Sequence, residues 1–232
     1  MYLDIINSFE YFTPLAWLLF SLAVNLALYI FSIALYVFID SICSKEKIQT
    51  LDFPILKADM WQSLLTVFLN AVVMLVAVYL WKNNWIVLQE SKTVAAVILE
   101  IAGITLVMDF LMYVFHYLAH RPFIYRLLHY KHHEHVSTNY LSLFVLHPLE
   151  ALGFGLMMIG VFMCYDFALV SISIYLFINL VWGTVGHLNR EFFPRWTHKL
   201  FLGTSMFHNQ HHVNEQYNFG FLPIAIAGAL LG

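Results

Sequence analysis

The sequence predicts an all-α membrane protein with about four transmembrane helices: two long spans, a third that carries the first histidine box, and a helical hairpin, joined to a helical, histidine-rich cap on the cytoplasmic side. Three observations predict it. The 232 residues are 61% apolar and only 11% charged, against about 25% charged in soluble domains. Apolar runs of about 20 residues, long enough to cross the hydrocarbon core as a helix, recur along the chain. All twelve histidines fall in two polar stretches, 116–147 and 187–218, which a hairpin between them returns to one membrane face.

The elements follow in order. Pro14 to Ile39 is the first span and Met60 to Trp81 the second. The third runs from about Val94 to Tyr117 and contains Glu100 and Asp109. Leu149 to Val185 is apolar but broken near Cys164–Asp166, which predicts the hairpin; its first arm, Ala151 to Met163, is short for a full span. The tail from Phe219 to Gly232 is expected in the interface, with Trp61, Trp81 and Trp85 as interfacial anchors. The chain reads as one domain: N-terminal spans over 1–93, a catalytic region over 94–220 and an apolar tail over 221–232.

Charge sets the orientation, because cytoplasmic loops are enriched in Lys and Arg. Lys45, Lys47 and Lys57 follow the first span; Arg121, Arg126 and Lys131, then Arg190, Arg195 and Lys199, lie in the histidine stretches; only Lys82 and Lys92 lie on the other side. A multi-pass protein with its histidines in the cytoplasm is expected. The net charge of −3, without a Lys/Arg block, gives no case for a nucleic-acid partner. Cys43 and Cys164 form no CxxC pair and read as free thiols. The first twelve residues hold Asp4 and Glu10 and no base, so a cleavable signal peptide is not expected.

Ionisable groups are costly near a bilayer, so twelve histidines in a chain poor in other charge are themselves a functional signal. Nine of them form four clusters: His116 and His120; His129, His132 and His133; His187; and His208, His211 and His212. Residues i, i+3 and i+4 share a helix face, so each HxxHH triplet is expected to aim three imidazoles at one volume. Pro122 can start the helix that carries the second cluster. Imidazole suits iron, zinc, copper and nickel, and nine such ligands suit two ions better than one. A single HxxxH is a weak signal. Two HxxHH motifs and an HxxxH on one face are a strong one, and interfacial histidines held by headgroups would explain neither the repeated spacing nor the shared side.

Helix geometry also nominates supporting residues. Asp109, Tyr113, His116 and His120 form one stripe, with Asp109 about 10 Å deeper than His116, where it can accept the spare N–H of a ligand ring or bond a neighbouring helix. Glu100 is expected to pack against another helix. His135 and His198 read as interfacial, His147 as a cap for a helix starting at Pro148 with Glu150 in its first turn, and Glu191 as a candidate carboxylate beside His187.

Taken together, Asp109-x3-Tyr113-x2-His116-x3-His120-Arg121, His129-x2-His132-His133, His147-Pro-Leu-Glu150, His187-Leu-Asn189, and His208-x2-His211-His212 followed by Asn218-Phe-Gly220 resemble the fatty acid hydroxylase/sterol desaturase superfamily. The resemblance spans about half the chain, residues 109–220. It implies two irons within a cytoplasmic histidine cap, with Asn189 and Asn218 joining Asp109 and Tyr113 around the ligands. It also implies O2-dependent hydroxylation, desaturation or ether cleavage of a lipid, with electrons from cytochrome b5 or a ferredoxin and its reductase. Many members follow the last box with an acidic Asp and a Gly-Thr segment; this chain has neither.

Unactivated C–H bonds need an oxidant that no side chain supplies, so the cofactor must carry that chemistry. Two other classes compete. A zinc-dependent membrane hydrolase lacks its HExxH signature here, since His133-Glu134-His135 has the wrong spacing, although zinc can misload an iron site. A metal transporter usually places its polar groups near mid-membrane, away from where these histidines lie; a haem module would show an intense visible band.

Overall fold

The computed structural model describes residues 9, 11–50, 54–89, 92–194, 196–197 and 203–214. His198, Asn218 and the tail 221–232 lie outside the described residues. Helix α1 spans Pro14–Ile42, α2 Lys57–Lys82 and α3 Val94–Ala119. A short α4, Pro122–Ile124, runs through a π-helical turn, Tyr125–His129, into α5, Tyr130–His133. A 3-10 turn at Ser142–Phe144 precedes the hairpin of α6, Pro148–Met163, and α7, Leu169–Gly186; α8, Ser205–Val213, closes the order. The described residues contain no strand, only isolated bridges between Lys47 and Arg190 and between Gln89 and Ala168.

Four helices, α1, α2, α3 and α7, are long and apolar enough to cross a membrane; α6, with 16 residues, is shorter. Their starts follow from local chemistry. Thr13 caps α1 through Ala16 N and is followed by Pro14, Thr93 caps α3 through Ala96 N, and Thr204 caps α8 through Phe207 N. Pro122 is the first residue of α4, as its position after the first box predicted.

In lipid, helices are not driven together by apolar burial, so small residues and interhelical hydrogen bonds do the joining. Tyr29 on α1 bonds Ser63 on α2 at 2.9 Å, and Ser32 on α1 bonds Thr184 on α7 at 2.8 Å. Gly155 on α6 lets the two Cγ atoms of Val73 on α2 come within 2.6 and 2.7 Å of where a Cβ would stand. Glu100 is buried at the far end of α3, where it pairs with Lys92 and accepts hydrogen bonds from Ala168 N and Ser171 Oγ at the start of α7. It packs against another helix, as its place in the third span suggested. Trp61 and Trp85 are exposed near opposite ends of α2, while Trp81 packs edge-on against Trp17.

The loops sort by end. The segment after α2 meets the α6–α7 turn, with Gln89 N donating to Phe167 O at 2.9 Å. At the other end the α1–α2 loop meets the segment after α7, with Ile48 N donating to Asn189 O at 3.0 Å. This second end holds every described cluster of histidines.

Candidate metal centre

Nine imidazoles converge here in two groups. His116, His120, His129, His133 and His211 form one; His132, His187, His208 and His212 form the other, and in each group the candidate ligand atoms lie within 4.8 Å of one another. Each HxxHH box is split between the groups, contrary to the expectation of three rings on one volume. The cause is helical phase. At about 3.6 residues per turn, residue i+4 lies about 40° to one side of residue i and residue i+3 about 60° to the other. His129 and His133 therefore enter the first group and His132 the second; His208 and His212 enter the second group and His211 the first. Each box links the two.

The ring nitrogens that stand within about 3 Å of one another are Nε2 atoms. His116 Nε2 stands 2.9 Å from the Nε2 atoms of both His129 and His211, and His133 Nε2 stands 3.0 Å from His129 Nε2. His208 Nε2 stands 3.1 Å from the Nε2 atoms of His187 and His212. The opposite nitrogens fix the tautomer of two rings. His187 Nδ1 donates to the carbonyl of Gly183 at 2.8 Å, and His129 Nδ1 donates to Glu150 Oε1 at 2.6 Å. Their Nε2 atoms therefore carry lone pairs aimed at other rings. That arrangement is repulsive by itself and fits a shared cation. Two nitrogens bound at right angles, each at a metal–imidazole distance of about 2.1 Å, stand about 3.0 Å apart. Burial holds the imidazoles neutral, the form that ligates: the desolvated rings of His120 and His187 are pushed down to about 3 and about 4, and those of His132, His208 and His212 fall well below the usual histidine range.

The supporting residues fall in varied places. Asp109 is buried on α3, within electrostatic range of Tyr175 on α7. Tyr113 stacks nearly parallel on Tyr117, with centroids 6.3 Å apart. Asn189 donates to Gln49 O and Ser137 Oγ and accepts from Gln49 N, which ties loops together two residues past His187. His147 caps α6 by accepting from Leu149 N. Glu191 accepts from Phe193 N and from Met206 N at the start of α8, and lies in neither histidine group. His135 is buried rather than interfacial, because Ser142 Oγ and Asp59 Oδ1 provide partners for its two nitrogens at 2.9 and 3.5 Å. The Nδ1 atoms of His132, His133 and His212 have no partner among the described residues.

Sequence reading noted Glu150 in the first turn of α6 but gave no partner for it; a carboxylate just after His-Pro, on a helix start returning toward the boxes, was the available signal. Gly183 acts through its carbonyl and Gln49 through a distant loop, so neither left a pattern to find.

A bundle of lipid-facing helices that ends in two groups of imidazoles, all buried but the half-buried His120, defines a membrane protein built around a histidine-lined centre. The comparisons give its relatives. The profile of the fatty acid hydroxylase family matches residues 101–227, more than half of the 232 residues, and the chain belongs to that family. It is 31% identical to protein CER1-like 2 of Arabidopsis thaliana over 170 residues, 68% of this chain and 27% of that protein. It is 30% identical to human fatty acid hydroxylase domain-containing protein 2 over 59% of this chain and 39% of that one. It is 28% identical to the very-long-chain aldehyde decarbonylase GL1-5 of Oryza sativa subsp. indica over 50% of this chain and 20% of that one. The chain thus spans well under half the length of these curated relatives. No solved structure matches it.

Proposed function

We propose that this protein is a di-iron oxidoreductase that hydroxylates or desaturates a membrane lipid, with O2 as oxidant and electrons from cytochrome b5 or a ferredoxin and its reductase. The observation that supports it is the meeting of the Nε2 atoms in two groups at ligand spacing. His116, His120, His129, His133 and His211 would hold one ion, and His132, His187, His208 and His212 the other. An iron pair, when bound, supplies the oxygen-dependent redox chemistry that an unactivated C–H bond requires.

The chain's own residues do the rest. Glu150 and the Gly183 carbonyl accept hydrogen bonds from the Nδ1–H groups of His129 and His187 and so keep their Nε2 lone pairs turned inward. Neutral imidazoles ligate without adding charge at a low-dielectric boundary. The apolar helices admit a lipid sideways from the bilayer. Lys45 and Lys47 in the α1–α2 loop, and Arg121, Arg126 and Lys131 after α3, support a cytoplasmic orientation for this end.

A second reading is favoured by the aldehyde decarbonylase among the relatives: the same centre acting on a long-chain aldehyde. The test is metal analysis of purified protein, O2 consumption, and lipidomics of cells with and without the gene. A gain of one oxygen or a loss of two hydrogens in a lipid supports the first reading, and loss of an aldehyde with gain of a hydrocarbon the second. Protein that binds neither iron nor any other ion at these histidines refutes both.

A further inference from the structure

We propose that Gln49, in the loop between α1 and α2, is a positioning residue for the four-histidine group; this rests on the reading of that group as a metal site. Gln49 lies outside residues 101–227, the stretch that matches the family profile. Its side-chain amide donates to Asn209 Oδ1 at 2.9 Å. Asn209 is buried on α8, between His208 and His211, and its own Nδ2 has no partner among the described residues. Gln49 thus grips α8 at Asn209, among its histidines, while Glu191 holds the first turn of the same helix.

The backbone of Gln49 is itself fixed. Gln49 N donates to Asn189 Oδ1 at 2.8 Å, and Asn189 Nδ2 returns to Gln49 O at 3.0 Å. Ile48 N donates to Asn189 O, and Lys47 bridges to Arg190. Asn189 Nδ2 also reaches Ser137 Oγ at 3.1 Å, in the loop that follows His132. The three stretches that supply the four-histidine group therefore meet at this one junction: 132–137, 187–190 and 208–212. Four of the five ligands in the other group come from 116–133, and only His211 shares α8 with Asn209. A fault at Gln49 falls harder on the four-histidine group, which takes two ligands from α8, than on the other, which takes one.

The experiment titrates metal-free, detergent-purified full chain with Co2+ alone and reads stoichiometry, visible absorption and thermal unfolding before metal is added. Wild type binds two ions. Gln49→Ala binds one ion nearly as wild type does and the other up to about 10-fold more weakly, since a partner bonded directly to a ligand is worth about 10- to 100-fold and Gln49 acts one bond further out, through Asn209. The unfolding temperature of its metal-free form falls only slightly, because a single hydrogen bond to a half-buried residue is lost. Gln49→Glu restores the second ion, since the Asn209 amide can turn to donate its spare Nδ2. Two ions bound at wild-type strength in Gln49→Ala overturn the assignment. Equal weakening of both ions, or a chain that fails to fold, also overturns it, by making Gln49 a general structural clamp. Wild type that binds no Co2+ refutes the metal centre itself, whatever Gln49 does.

Discussion

The two histidine groups are built differently. The five-histidine group draws His116, His120, His129 and His133 from one continuous stretch at the end of α3 and the helical run after it, and adds His211. A carboxylate, Glu150, backs it. The four-histidine group draws single rings or a pair from three separate stretches of the chain, and is backed by a main-chain carbonyl and a junction of loop amides. One group follows from local helical phase, the other from how loops dock. The difference teaches that equal ligands need not mean equal robustness.

The largest effect tests the groups directly. His132→Ala and His211→Ala should each abolish turnover and lower metal content. His211→Ala leaves four ligands in its group and His132→Ala three, so elemental analysis should show the greater loss in His132→Ala. Full activity with two ions in both variants would remove the basis of the comparison.

Next comes the carboxylate. Glu150→Ala should weaken one ion between about 10- and 100-fold and leave the four-histidine group intact, as Co2+ titration would show. Glu150→Gln keeps an acceptor for His129 Nδ1 and should fall in between. A Glu150→Gln variant as impaired as Glu150→Ala would mean that the carboxylate charge, rather than the hydrogen bond, is what His129 needs.

The scaffold under each group gives smaller effects. A Cβ at Gly155 would stand 2.6 Å from a Cγ of Val73, and valine is stiff at χ1. Gly155→Ala should cost about 1–3 kcal/mol, seen as a lowered unfolding temperature, and should disturb α6, which carries Glu150. Gly160→Ala, where a Cβ meets open space, is the control and should change little. Smallest is Ser32→Ala, which breaks the bond to Thr184 near the end of α7 that leads to His187; hydrogen bonds between membrane helices average about 0.6 kcal/mol. Thermal unfolding in detergent measures both substitutions, and a Ser32→Ala loss larger than that of Gly155→Ala would reverse the ranking.

Much of the fold was legible. Runs such as Met60 to Trp81 and the break at Cys164–Asp166 announced α2 and the hairpin, because lipid as solvent leaves few ways to bury a backbone. The histidines at HxxHH spacing were equally plain, since imidazoles so close to a bilayer are costly without use. Their division was not, although helical phase explains it afterwards: spacing gives the angle between rings but not which of two volumes each one meets. His135 read as interfacial because its partner Asp59 lies 76 residues away in sequence.

The sequence by itself determined the solvent, the helices, the clustering of histidines at one end and the family. It could do so because hydropathy, capping and i, i+4 spacing are local properties of the chain. Tertiary structure decided which rings share a volume, that Glu150 and Gly183 set the tautomers, and that Gln49 reaches Asn209 across 160 residues. Those are contacts between remote segments, set by how helices and loops pack, and no local pattern in the chain records them.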